Sequence, residues 1–178
     1  AISVSTATLH LAWSGCVTLT ITSGEPRPRL TRSELCSARC PSARKTGNAR
    51  LLGHRLAWHK FGCDATGKCD VVRTGRATDI VHGVAWQIRR AERPALDFHE
   101  ELDTGYTAST VRIQLNGRIR HARTYRAIPT DPNLLPLDWY KRFVVEGARE
   151  HALPDHLTAW LARAPALHDN DLTRRNRN

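Results

Sequence analysis

Leu96-Asp97-Phe98-His99-Glu100 is followed directly by Glu101-Leu102-Asp103-Thr104-Gly105-Tyr106. This places a carboxylate just past an apolar helical segment, at the entry to a new strand. A carboxylate held there is partly desolvated. Desolvation raises its pKa and makes it a usable proton acceptor near neutral pH. Glu100 is therefore the first candidate for proton-transfer chemistry. The competing reading is a solvated turn, the usual fate of paired carboxylates at a helix end. Composition and spacing alone favour the solvated turn.

Other residues invite weaker readings. Cys36-x3-Cys40, His54-x4-His59 and Cys63-x5-Cys69 suggest a zinc site on paper. Only the first pair has the spacing of a zinc knuckle. The thiols read better as small buried hydrophobes, and no metal is expected. Gly147-Ala148-Arg149-Glu150-His151 reads as a solvated helix end, with Arg149 and His151 complementing the helix dipole. Trp139-Tyr140 reads as core rather than ligand.

The elements that must position these residues follow from periodicity. Val17 to Thr22 alternates apolar and polar, as a half-buried strand does, and Ser23-Gly24-Glu25-Pro26 breaks it. Leu30 to Ala38 is a short predicted helix stopped by Pro41. Asn48 to His59 reads as one strand, Phe61 to Lys68 as a loop, and Cys69 to Val72 as a short strand. Val81 to Ile88 is the clearest strand, with Gly83 suggesting a bulge or a close backbone approach. A short helix is predicted over 91–98. Thr107 to Leu115 and Arg118 to Arg126 flank Asn116-Gly117, the strongest short hairpin signal. Leu137 to Glu150 is amphipathic at helical spacing, and Pro154 opens a second helix to Ala162. The tail from Pro165 is polar and reads as frayed. Strands then helices, with no repeat or linker, imply an α+β class.

The bulk numbers set limits. The chain has 178 residues and 40% hydrophobic content, enough for one domain with a real core. The net charge of +10 invites nucleic acid, but the arginines are scattered and only 174–177 form a tight cluster. A nucleic-acid partner is not expected. Five cysteines, an odd number, argue against a disulfide framework and for a reducing cytoplasm. No apolar run has membrane-spanning length, and residues 1–22 lack the Lys and Arg of a signal peptide. The chain begins with Ala and contains no Met. Its uncharged, Ser/Thr-rich start reads as a processed, truncated or frame-shifted end.

Several words occur in one order: Cys40-Pro41-Ser42-Ala43-Arg44, Gly53-His54-Arg55-Leu56-Ala57, Leu96-x3-Glu100, and Tyr140-Lys141-x5-Gly147-Ala148-Arg149-Glu150-His151-x-Leu153-Pro154. That order resembles the gamma-glutamylcyclotransferase family over about residues 40–161. The resemblance implies a small mixed barrel-like sheet with flanking helices over 1–165, divergent over 1–39, with a basic tail over 166–178. It implies that Glu100 is the catalytic proton acceptor. The reaction it implies is attack of a glutamyl α-amine on its own γ-carbonyl, closing 5-oxoproline and releasing an amine or amino acid. No cofactor is needed, because the substrate carries its own nucleophile and the enzyme supplies pose, proton transfer and oxyanion donors. The implied partner is a small γ-glutamyl peptide or amine, and relatives include homodimers.

The resemblance also carries departures. The family Gly after the catalytic Glu is Glu101 here. If that Gly needs a positive φ, Glu101 is strained. The family's Tyr-Gly-Ser-Asn loop, which cradles the glutamyl end, is absent after the first strand, where Thr22, Ser23 and Gly24 stand as its counterparts. Tyr106 and Tyr125 match family tyrosines and read equally as pocket lining or as ordinary strand aromatics, and Lys68 and Asp70 stand in a segment that could face the site. Two rival readings remain: an inactive relative or ligand-binding module lacking the substrate loop, and a basic nucleic-acid-binding protein.

Overall fold

The computed structural model describes residues 40–170, Pro129 apart, together with the backbone of residues 18–23. The strands are β1 (Thr18–Ser23), β2 (Arg44–Leu52), β3 (His54–Phe61), β4 (Gly67–Arg73), β5 (Ile80–Arg89), β6 (Tyr106–Leu115) and β7 (Arg118–Ala127). The helices are α1 (Arg93–His99), α2 (Asp138–Glu150) and α3 (Asp155–Arg163), with a 3-10 turn at Arg90–Glu92 leading into α1. None is long and apolar enough to cross a membrane. The predicted helix over 30–38 lies outside the described residues.

Among the described residues, strands close into a barrel in the order β1-β5-β2-β6-β7, with Thr20 of β1 meeting Arg123 of β7. β1 runs parallel to β5, and the remaining pairs are antiparallel. The parallel pair decides where the site lies. Thr22 and Ser23 pair with Ile88 and Arg89. The chain therefore leaves β1 at the same rim where β5 runs on into α1. β5 is buried along most of its length because it has neighbours on both edges and core beneath.

Two sequence expectations need correction. Asn48 to His59 is not one strand. Gly53 adopts φ +71, so β2 ends and β3 starts in a new direction. The turn is held by Gly53 N–H on the Asp79 carbonyl, and by Thr74 and Gly75 N–H groups on the Gly53 carbonyl. β3 thereby leaves the barrel and pairs with β4 as a separate two-stranded ribbon. Nor does Gly83 mark a bulge. It pairs evenly with Ala49, and the register slips instead between Lys45 and Gly47 on the partner strand.

The Asn116-Gly117 hairpin forms as the dipeptide predicts, with φ +50 and +72 at the two turn residues. Both angles positive is the two-residue turn whose twist matches paired strands. On α2 the apolar spacing buries Trp139, Tyr140, Val144, Val145 and Ala148 against the main core. The sequence assigns His151 a cationic role at the end of α2. The structure buries it instead. Burial, then the Lys45 ammonium 3.5 Å from its Nδ1, push the imidazole below its usual range and leave it neutral. The chain past α3 stays attached through residue 169: Asp138 N–H donates to the Leu167 carbonyl, and Trp139 Nε1 donates to Asp169 at 2.7 Å.

A smaller core cluster of Cys40, Ile88, Leu96, Tyr106 and Tyr125 lies apart from the main one. It seats α1 through Leu96. Ser42 adds a polar clip: its N–H and Oγ donate to Glu92, and its Oγ accepts from Arg89 N–H.

Two glycines test this architecture by different routes. A Cβ at Gly117 would meet nothing within 4 Å, so Gly117→Ala carries only the backbone cost of a left-handed residue, about 1–2 kcal/mol. A Cβ at Gly67 would come 2.2 Å from the Trp58 carbonyl oxygen, so Gly67→Ala must push β3 and β4 apart. Urea unfolding is expected to show the larger loss for Gly67→Ala.

Candidate active site

α1 is seven residues long, with Pro94 in its first turn, and no side chain caps its start. Its end is more informative. Glu101 N–H donates to the Phe98 carbonyl, and Leu102 N–H donates to the Asp97 carbonyl. That pair of bonds is the Schellman closure, which needs a left-handed residue after the helix cap. Glu101 is that residue, at φ +48. Glycine is the usual occupant, so a Glu here stores about 1–2 kcal/mol of backbone strain. Glu100 points inward and is 2% exposed, while Phe98 on the outer side is 80% exposed.

Around Glu100 the structure gathers groups from distant segments. Tyr140 of α2 is fully buried and accepts a hydrogen bond from Cys69 N–H at 3.1 Å. Burial, then the Cys69 and Glu100 charges, push its phenol far up, so it keeps its proton. Lys68 of β4 holds its ammonium over the Tyr140 ring, 5.2 Å from the centroid. The same ammonium donates to both Asp64 carboxylate oxygens at 2.8 Å and to Thr66 Oγ1 at 2.6 Å. Burial drives Lys68 below the usual lysine range against the support of Asp64. Burial also works to raise Asp64, but hydrogen bonds from Lys68 and Thr66 and the lysine charge outweigh it and hold the carboxyl low. Lys60 of β3 is as deeply buried, 5.0 Å from the Tyr106 ring centroid and 3.5 Å from Glu101 Oε2.

Asp97, one turn before Glu100, faces another way. It accepts hydrogen bonds from the Tyr125 hydroxyl and from Arg123 Nη2, and Arg93 Nε lies 3.6 Å away. The Tyr125 hydroxyl is thus committed to fastening α1 to β7. Burial and Asp97 push that phenol up, so it remains a donor. Asp70 has a similar structural task. It pairs with His59 Nε2 at 2.7 Å and accepts from Ala127 N–H at 3.0 Å, tying β4 to β7.

The sequence-derived candidates therefore divide. Glu100 lies near Tyr140, Lys68 holds its ammonium over the Tyr140 ring, and Tyr106 packs against Lys60. Tyr125 and Asp70 brace α1, β4 and β7. By strand pairing Thr22 and Ser23 reach the rim where β5 runs on into α1, and Gly24 lies outside the described residues. His54 Nδ1 instead contacts the Leu52 carbonyl, and among the described residues no three His, Cys, Asp or Glu side chains come together as metal ligands. Sequence reasoning missed Lys60 and read Tyr140 only as core. A shallow cleft of about 510 Å³ runs along the outer side of α1, lined by Asp97, Phe98, His99, Glu101, Leu102 and Thr104, and does not include Glu100.

The buried Lys68–Asp64 pair gives a test of how this region is held. Asp64 sits below its ordinary value of 3.8, so its contribution is complete above that pH and is lost as pH falls through the folded value. Asp64→Asn strands the Lys68 charge and is expected to cost about 3 kcal/mol at neutral pH. Adding Lys68→Met is expected to recover most of that loss in thermal unfolding, since no buried charge then lacks its partner.

Comparison with known proteins supports this architecture. The AIG2-like family model matches residues 80–161, which include β5, α1 with Glu100, and α2. A solved gamma-glutamyl cyclotransferase superposes with a TM-score of 0.68 at 24% identity, over 79% of this chain and 84% of that one. An uncharacterized protein from Homo sapiens, loc79017, superposes at 0.66 with 21% identity, over 80% and 89%. YkqA from Bacillus subtilis superposes at 0.60 with 19% identity, over 69% of this chain and 46% of that one. No curated protein matches the sequence. The chain thus has the gamma-glutamylcyclotransferase-like fold, and the resemblance read from its motifs holds.

Proposed function

We propose, from the gamma-glutamylcyclotransferase-like fold as premise, that this chain closes the γ-glutamyl group of a small peptide or amine into 5-oxoproline. The observation that carries the reading is the burial of Glu100 at 2% exposure, turned inward by the closure of α1 beside Tyr140. The family pattern over residues 80–161 covers this same helix end.

In this reading Glu100 takes a proton from the substrate α-ammonium. The freed amine attacks the γ-carbonyl, a C–N bond forms, and the carbonyl electron pair moves onto oxygen. The Tyr140 hydroxyl, which keeps its proton and lies near Glu100, is the donor assigned to that oxyanion. The tetrahedral centre then collapses: the oxyanion re-forms the carbonyl, the bond to the leaving nitrogen breaks as Glu100 returns its proton there, and the ring nitrogen gives up its second proton through the same carboxylate to the released amine, which departs as an ammonium. One carboxylate serves both steps. The attack is intramolecular, so the enzyme's main task is to hold the ring-closing pose and exclude water. The reading assigns Tyr106 to the pocket wall and Thr22, Ser23 and Gly24 to substrate binding.

A second reading has one observation in its favour. Thr22-Ser23-Gly24-Glu25 stands where a Tyr-Gly-Ser-Asn loop would supply backbone donors. A protein lacking those donors would bind a γ-glutamyl ligand without turning it over. Assay of 5-oxoproline release from a panel of γ-glutamyl dipeptides and amines separates the two. Release is expected, and Glu100→Gln is expected to reduce it by about 10²–10⁴-fold. Binding without release from the intact chain would support the second reading, and release that survives Glu100→Gln would remove Glu100 from the mechanism.

A further inference from the structure

Lys60 and Lys68 are both almost wholly buried, at 2% and 4% exposure, yet their surroundings differ. Lys68 is satisfied from within, by three short bonds to Asp64 and Thr66. Lys60 is held loosely. Among the described residues its ammonium meets the Tyr106 ring at 5.0 Å and the Glu101 carboxylate at 3.5 Å. A charge-assisted hydrogen bond is normally about 2.7–2.9 Å long, so this contact falls short of a good one. A cation taken out of water costs several kcal/mol unless closely paired. Glu101 is a poor permanent partner: its side chain is 43% exposed, and its backbone is left-handed where glycine is at ease. Its carboxylate lies beside Gly105, where an added Cβ would come 2.5 Å from Oε2. The arrangement is a buried ammonium with a displaceable carboxylate against it.

The neighbouring residue in the chain is Glu100. A γ-glutamyl group carries an ammonium and a carboxylate on one carbon atom. Glu100 and Lys60 offer the opposite charges in the same order. Resting on the reading of Glu100 given above, we propose that Lys60 anchors the substrate α-carboxylate, and that Glu101 holds its ammonium until the substrate displaces it. The site then selects γ-glutamyl compounds with an intact α-carboxylate. It also obtains from a side chain part of the grip that the absent Tyr-Gly-Ser-Asn loop would give. Lys60 is here a substrate-binding residue, and Glu101 a placeholder that tunes affinity.

The test is calorimetric titration with 5-oxoproline, which keeps the α-carboxylate, and with 5-oxoprolinamide, which does not. The intact protein is expected to prefer the acid by about 10- to 100-fold, the range of one hydrogen bond to a charged group. Lys60→Met is expected to weaken only the acid and erase the preference, while Lys60→Arg keeps it. Glu101→Gly leaves Lys60 in place and is expected to tighten the acid but not the amide. The inference is overturned if the intact protein does not discriminate, if it binds neither compound, or if Lys60→Met keeps the preference. Release of 5-oxoproline from a γ-glutamyl dipeptide is measured alongside. Release with a preference indifferent to Lys60 sinks the anchor and spares the reaction. A Lys60-dependent preference without release does the reverse.

Discussion

The backbone closure at the end of α1 is the constraint on which the rest depends. Two hydrogen bonds, from Glu101 and Leu102 back into the helix, stop α1 and reverse the chain. They require one residue in a left-handed conformation, and the chain places Glu101 there rather than glycine. From this closure follow the inward turn of Glu100 and the reach of Glu101 toward Lys60. Had the helix run on for another turn, Glu100 would lie on a continuing helical face rather than at the point of reversal.

The barrel supplies the fixed frame for that helix end. The parallel pairing of β1 with β5 brings the exit of β1 to the rim from which α1 departs. Leu96 seats the helix in the small cluster with Tyr106 and Tyr125, and full burial of such a side chain is worth about 1.5–3 kcal/mol. Asp97 then fixes its rotation by gathering Tyr125 and Arg123. The two carboxylates of the Leu-Asp-x-x-Glu word thus divide the work: Asp97 locks the helix, and Glu100 is presented inward.

Most of the fold was legible because its signals are local. The Asn116-Gly117 hairpin and α2 differ from expectation by a residue at an end, since turn chemistry and apolar period act over a few residues. What was not legible came from direction in space. Gly53 sits in an apolar run that scans as one strand, and only its positive φ shows the chain leaving the barrel. The site follows the same rule. Glu100 could be found from its own helix. Lys60 and Tyr140 come from β3 and α2, and α2's apolar period marks Tyr140 as core before anything marks it as a neighbour of Glu100. The departure at Glu101 was visible in sequence, but its ion pair with Lys60 was not.

In the proposed mechanism Glu100 and Lys60 together read the charged end of a γ-glutamyl group. A crystal structure with 5-oxoproline bound tests that most directly. The expected result has the lactam nitrogen on the Glu100 carboxyl, the ligand carboxylate on Lys60 Nζ, and Glu101 swung out to solvent. A ligand lying in the outer cleft beside Phe98 and Leu102, with Glu101 still against Lys60, would contradict it.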